Sequence, residues 1–183
     1  STQLEQLLVE KKMDIALMHR PFYKYDLEYQ SLYHEEFLLA VPTPPGDVLP
    51  EKLNVKKLPV ITAGQMRKYA FVMMNANQRI RQVADNICTA ACVEPKIFFH
   101  TSSFPTALSM VRSGFGAAFV PKSFAYYYWD HQPAYYYRFP EGWKAEWELV
   151  AAHRQNLTLG KDLLGLVQVL QETIANMPEV FRV

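Results

Sequence analysis

No run of this sequence approaches the roughly 20 consecutive apolar residues that a membrane-spanning helix requires, so no transmembrane segment is expected. Cysteine is nearly absent. Cys88 and Cys92 are the whole supply, which excludes a disulfide framework. Four apart on a helical pattern, they are expected to be small buried core residues rather than a metal or redox pair, in keeping with a reducing cytoplasm. Neither sign of charge is in excess, because 19 basic and 18 acidic residues leave a net charge of +1. Such a balance lacks the basic footprint of a nucleic-acid surface. Catalytic patterns are missing too: no Gly-x-Ser-x-Gly elbow, no His-Glu-x-x-His, no phosphate-binding glycine loop and no Cys-x-x-Cys. Glu35 and Glu36 are adjacent, so on a strand they point to opposite faces and do not form an acid–base pair. No cofactor or metal is expected. No signal peptide is visible and the chain opens on Ser1, which reads as a fragment or processed product.

What is present suits a soluble globular fold of one large domain or two small lobes. The most informative stretch is 97–122, read as strand, helix, tight turn, strand. Ile97 to Phe99 form a short apolar strand, and Thr101, Ser102 and Ser103 are residue types that end strands and cap helices. Pro105 suits the first helical turn, and Ala107, Leu108, Met110 and Val111 supply an apolar stripe. Gly114 and Gly116 bracket the exit before the buried strand Ala117 to Val120. A capped helix start at the end of a strand favours an anion.

Taken in order, Thr2 to Lys11 reads as a helix with capping-box spacing between Thr2 and Glu5 and an inward stripe of Leu4, Leu7 and Leu8. Met13 to Met18 is a buried strand. Leu27 to Leu32 and Glu36 to Val41 are two extended segments split by polar residues, and Pro42, Pro44, Pro45 and Gly46 mark a lobe boundary. Leu58 to Ile61 reads as a strand, and Gln78 to Cys92 as an amphipathic helix burying Ile80, Val83, Ala84 and Ile87. Two strands each joined to a helix imply a small parallel sheet. The segment 123–147 is dense in tyrosine and tryptophan, expected to pack core and hinge or to form a protein interface rather than to line a pocket for an aromatic ligand. Trp147 to His153 is a strand, and Leu159 to Ile174 the closing helix.

The run Phe-His-Thr-Ser-Ser-Phe-Pro-Thr-Ala-Leu-Ser-Met-Val-Arg-Ser-Gly-Phe-Gly-Ala-Ala-Phe-Val-Pro at 99–121 resembles a stretch of the effector-binding domain of LysR-type transcriptional regulators. Met13-Asp14-Ile15-Ala16-Leu17-Met18 and Glu36-Phe37-Leu38-Leu39-Ala40-Val41-Pro42 resemble two further strands of that domain, in the same order. The resemblance implies an α/β, two-lobed type II periplasmic-binding-protein-like fold. Its interleaved lobes would be 1–42 with 140–183, and 43–139, joined by two crossing strands. The second crossing would be Ala134 to Pro140. The family's domains begin with a strand, a helix and a second strand ahead of the helix that opens this chain, so that segment is expected to be missing, as is a DNA-binding helix-turn-helix.

The same resemblance implies a small effector, a carboxylate or aromatic acid, held between the lobes. Thr62 and the Thr101–Ser103 cap match positions that bind inducer in the family, and Gln65 and His19 are further candidates. Against this, Ser102 or Ser103 serves as a plain cap, His19 bonds a neighbouring carbonyl, and Arg67 is a solvated side chain rather than an anion partner. The implied partners are the effector, a homodimer or homotetramer, and DNA only through the missing part, with no membrane. A periplasmic solute-binding protein of the same fold is the rival reading, and an enzyme on this fold has no motif to support it.

Overall fold

The computed structural model describes residues 2–21, 26–129, 134–155, 157 and 160–176. In chain order the elements are α1 (Thr2–Val9), β1 (Ile15–His19), β2 (Leu27–Val41), α2 (Ala63–Met66), β3 (Ala70–Met74), α3 (Arg79–Ala90), β4 (Lys96–Thr101), α4 (Phe104–Arg112), β5 (Ala118–Pro121), α5 (Lys122–Tyr127), β6 (Tyr135–Arg138), β7 (Glu146–Arg154) and α6 (Lys161–Ala175). Short 3₁₀ turns occupy Val55–Lys57 and Glu141–Trp143. The chain divides into two compact units, residues 1–35 with 147–183, and residues 36–146.

In the first unit, α1 ends where Lys11 takes a left-handed φ of 59°, and Lys12 N–H donates back to Leu7 O. β1 then pairs antiparallel with β7, from Ile15 opposite His153 to His19 opposite Leu149. Alternation sends Ala16 and Met18 inward against Leu8, Leu27, Val150 and Ala152, and leaves Leu17 outside. The Arg154 guanidinium closes this core by donating to Leu8 O at 3.0 Å, Met13 O at 2.6 Å and the Asp14 carboxylate at 2.7 Å. On α6, Val167 is buried while Leu164, Leu166 and Val169 are exposed.

In the second unit the last five residues of β2 run between two antiparallel neighbours. Phe37 to Ala40 pair with β5, and Leu38 to Val41 with β6. A strand covered on both faces reads as an unbroken apolar run, and Phe37-Leu38-Leu39-Ala40-Val41 are all buried. β3 and β4 are parallel, with a bulge between Phe71 and Val72, and β3 also bonds Ala117 through Val72 N–H to Ala117 O. α3 buries Ile80, Val83, Ala84 and Ile87, and α4 buries Ala107, Leu108 and Val111.

Several expectations need correction. β2 is one strand through Leu27–Val41, not two segments. The units part at Glu35/Glu36 and Glu146/Trp147, so the second unit is wider at both ends than the expected 43–139. Leu58 to Ile61 makes only an isolated bridge from Val60 to Arg138, and the parallel partner of β4 is β3, which the sequence reading passed over. β6 lies wholly in the second unit, and the return to the first is made by β7. Cys88 is buried as expected, with its thiol pushed up to about 11 by burial and the charge of Asp85, but Cys92 is exposed. Two of the aromatic residues, Trp129 and Tyr136, belong to the core, and Tyr126 and Tyr127 are on the surface.

Candidate functional site

The parallel pair β3–β4 places Met74 opposite Thr101, so both strands end together and their loops meet. The carboxyl ends of parallel strands are where ligands collect in α/β sheets, because helix starts converge there. Thr101 is buried. Its Oγ1 accepts from Ser103 N–H at 3.1 Å, and its carbonyl accepts from Asn75 N–H at 3.0 Å. Ser103 is the N-cap of α4: its hydroxyl accepts from Thr106 N–H at 3.3 Å and bonds the Thr106 hydroxyl at 3.1 Å. Pro105 contributes no N–H, so the cap leaves fewer open donors than a full first turn would. Ser102 stands between them, exposed; its carbonyl accepts from Gln78 Nε2 at 3.4 Å, and its hydroxyl has no partner among the described residues.

Asn75 and Gln78 therefore join the cluster, and sequence reasoning missed both. Gln78 folds back so that its Oε1 accepts from Asn75 N–H at 3.0 Å, while its amide donates across to Ser102 O, just past the end of β4. The signal was available: an apolar strand at 70–74 puts whatever follows Met74 at the same sheet end as Thr101.

Thr62 and Gln65 form a separate pair in the same unit. Thr62 caps the single-turn α2 in a reciprocal capping box. Its Oγ1 accepts from Gln65 N–H at 3.2 Å and donates to Gln65 Oε1 at 2.9 Å, and Oε1 also accepts from Thr62 N–H. That leaves the Gln65 amide nitrogen without a partner among the described residues. No described hydrogen bond joins this pair to the Thr101–Ser103 cluster. Arg67, just beyond, donates to Cys92 O at 2.9 Å. His19 belongs to the other unit, where its ring stacks on Trp147 at 3.6 Å between centroids and 23° between planes.

A cavity of about 280 Å³ lies within the second unit, beside β2 and β6, and none of the six candidate residues lines it. Among the described residues no group of three or more His, Cys, Asp or Glu is placed to hold a metal ion. None of the described helices is long and apolar enough to cross a membrane.

The family model for the LysR substrate binding domain matches residues 1–175. The chain belongs to that family. Its fold is the mixed α/β, type II periplasmic-binding-protein-like fold of ligand-sensing LysR regulatory domains. One curated relative of this LysR domain is YcgK of Bacillus subtilis strain 168, an uncharacterized HTH-type transcriptional regulator, 23% identical over 128 residues. That match takes in 64% of this chain and 40% of YcgK, so the domain spans well under half of the relative's length. Among solved structures, the regulatory domain of CcmR from Synechocystis PCC6803 in complex with 2-PG superposes with a TM-score of 0.74 at 14% identity, covering 96% of this chain and 80% of that one. The effector binding domain of QuiR in complex with shikimate gives 0.70 at 16% identity, covering 94% and 77%. A Corynebacterium glutamicum OxyR C206 mutant gives 0.71 at 16% identity, covering 95% and 52%. At these identities the likeness speaks for the LysR domain's fold alone.

Proposed function

We propose that this chain is the sensing part of a bacterial cytoplasmic LysR-type transcriptional regulator, without enzymatic activity, and that its effector is a small carboxylate. The observation that carries the reading is the cluster at the ends of β3 and β4, where Ser102 presents an unpartnered hydroxyl beside Thr101, Ser103 and Gln78. Hydroxyls, amides and backbone N–H groups hold a carboxylate through charge-assisted hydrogen bonds without a buried countercharge. Thr62 and Gln65 supply a second group of the same chemistry, with the Gln65 amide open. The structural neighbours QuiR and CcmR, solved with shikimate and 2-PG, support a small-molecule effector. His19, stacked on Trp147 within the first unit, is the remaining candidate for an effector contact. The whole regulator is a homodimer or homotetramer that touches DNA only through a helix-turn-helix part, and the effector acts by biasing its conformational equilibrium.

The test is calorimetric titration of the chain with a panel of small carboxylates, comparing wild type with Ser102→Ala and Thr62→Val. A hydrogen bond to a charged group contributes about 1.5–3 kcal/mol, so each loss weakens binding by roughly 10- to 150-fold. Ser102→Ala is the cleaner variant because Ser103, not Ser102, caps α4. Unchanged affinity in both variants, for a carboxylate that the wild type binds, overturns the assignment.

A further inference from the structure

The cavity of about 280 Å³ in the second unit uses none of the residues assigned above, and its lining has an electrostatic peculiarity. Its apolar floor is made by Phe37, which is almost fully buried, and Phe139, which stacks on Phe119 at 5.8 Å. Two basic residues, Arg138 and Lys144, and two acidic ones, Glu141 and Glu146, are among its lining residues. No ion pair within 4.0 Å joins any of these four to one another or to another described residue. Glu36 also reaches the cavity, but its carboxylate is committed to the buried Lys122 ammonium at 3.1 Å.

Arg138 is held in place rather than free to swing. Its Nε donates to Leu58 O at 3.2 Å, its backbone N–H donates to Pro59 O at 2.8 Å, and its carbonyl accepts from Ile61 N–H at 2.9 Å. The two terminal guanidinium nitrogens remain without partners among the described residues. Lys144 is fixed at its backbone, where a left-handed conformation of φ 47° ends the turn Glu141–Trp143. Opposite charges on one concave surface that do not neutralise each other are complementary to a ligand carrying both signs. A ligand with one charge would satisfy one pair and leave the other facing it. The volume falls just below the roughly 300–1,000 Å³ range of small-molecule pockets, the scale of a single small metabolite.

We propose that this cavity binds a free α-amino acid with an apolar side chain. The carboxylate lies on the Arg138 guanidinium and Lys144, the ammonium on Glu141 and Glu146, and the side chain on Phe37 and Phe139. A planar guanidinium with two free nitrogens suits a carboxylate bidentately. The site is independent of the carboxylate effector proposed for the Ser102 cluster.

The experiment titrates the whole chain with leucine, methionine and phenylalanine, followed by calorimetry and by amide shifts in nitrogen-15 spectra. The N-acetyl and the amide derivative of each serve as single-charge comparators. At least one free amino acid is expected to bind in the millimolar range or tighter, with both comparators weaker by about tenfold or more, the loss of one charge-assisted contact. Lys144→Asn removes the cation while keeping a residue that tolerates the left-handed backbone. It and Glu146→Gln are each expected to weaken binding by a similar factor at unchanged melting temperature, and Thr62→Val and Ser102→Ala to leave it alone. Absence of binding by all three amino acids overturns the proposal, as do comparators that bind equally well or Lys144→Asn with full affinity. Loss of binding in Ser102→Ala with Lys144→Asn unaffected also overturns it, by moving the ligand to the β3–β4 cluster. Failure of the carboxylate panel alone would leave this result standing.

Discussion

Gly116 sits where no other residue fits. Its φ is 150°, and a Cβ built on it would meet Ala70 O at 2.4 Å and Ala70 C at 2.9 Å, which are backbone atoms of β3. The contact belongs to the bond pair Ala117 N–H to Ala70 O and Val72 N–H to Ala117 O, which draws the two segments together. Gly116→Ala must push β3 away or break that pair. Overpacking of this kind costs about 1–3 kcal/mol, so the urea midpoint should fall with an unchanged slope. Gly114, two residues earlier, has a φ of 84° with nothing within 4 Å of its would-be Cβ. Gly114→Asn meets only the mild left-handed preference and should lose far less. The glycines were legible in the sequence as a helix exit. Which of them is a steric necessity was not, because that depends on Ala70, far away in the chain.

At the scale of elements, the ends of β1 and the middles of β2 and β7 are tied electrostatically. The Glu148 carboxylate of β7 accepts from the Arg20 guanidinium just after β1 and lies 3.8 Å from His34 Nε2 of β2. Burial alone would raise its pKa. The hydrogen bonds from Arg20 and Ser31 and the charges of Arg20 and His34 together outweigh that, and hold it below the ordinary value of 4.5. A carboxylate depressed in the folded state contributes stability above its unfolded pKa and loses it as pH falls through the folded one. Wild type should therefore lose stability on acidification below about pH 4.5 more steeply than Glu148→Gln. Melting temperatures of the two between pH 7 and 3 check this, and parallel curves would contradict it. The same strands show why part of the fold escaped the sequence reading. In β2 the first ten residues mix buried, half-buried and exposed positions while the last five are wholly buried, so one strand carries two patterns and reads as two. β3 reads as apolar with little to mark its ends, whereas α4 carries its own start signal in Ser103 and Pro105 and was placed almost to the residue.

At the scale of the whole molecule, apolar side chains stay in solvent in both units. Val9 is 53% exposed on α1, and β4 exposes Phe98 and Phe99, with Phe98 stacked on exposed Phe115 at 5.5 Å. Contiguous exposed aromatics of this kind mark interaction surfaces, and they support the proposed self-association. Sedimentation over a concentration series should show a mass rising above that of one chain, and Phe98→Asp and Val9→Asp should each shift it back toward the monomer. A wild-type mass that stays monomeric across the series would refute it for this chain. The sequence by itself determined the features written within a turn or two of chain: the stripe Ile80, Val83, Ala84, Ile87 of α3, the cap of α4, the buried strand expected at Ala117 to Val120 and found at Ala118–Pro121, and the family motif that these compose. Caps and periodicities arise from residues three or four apart, so they can be read locally. Tertiary structure alone decided that the chain returns to the first unit at Trp147 and that β3 partners β4. It alone also brought residues 36–38 together with 138–146 around unpaired charges. Those depend on which distant backbone groups satisfy each other's hydrogen bonds, and nothing within a local window records that choice.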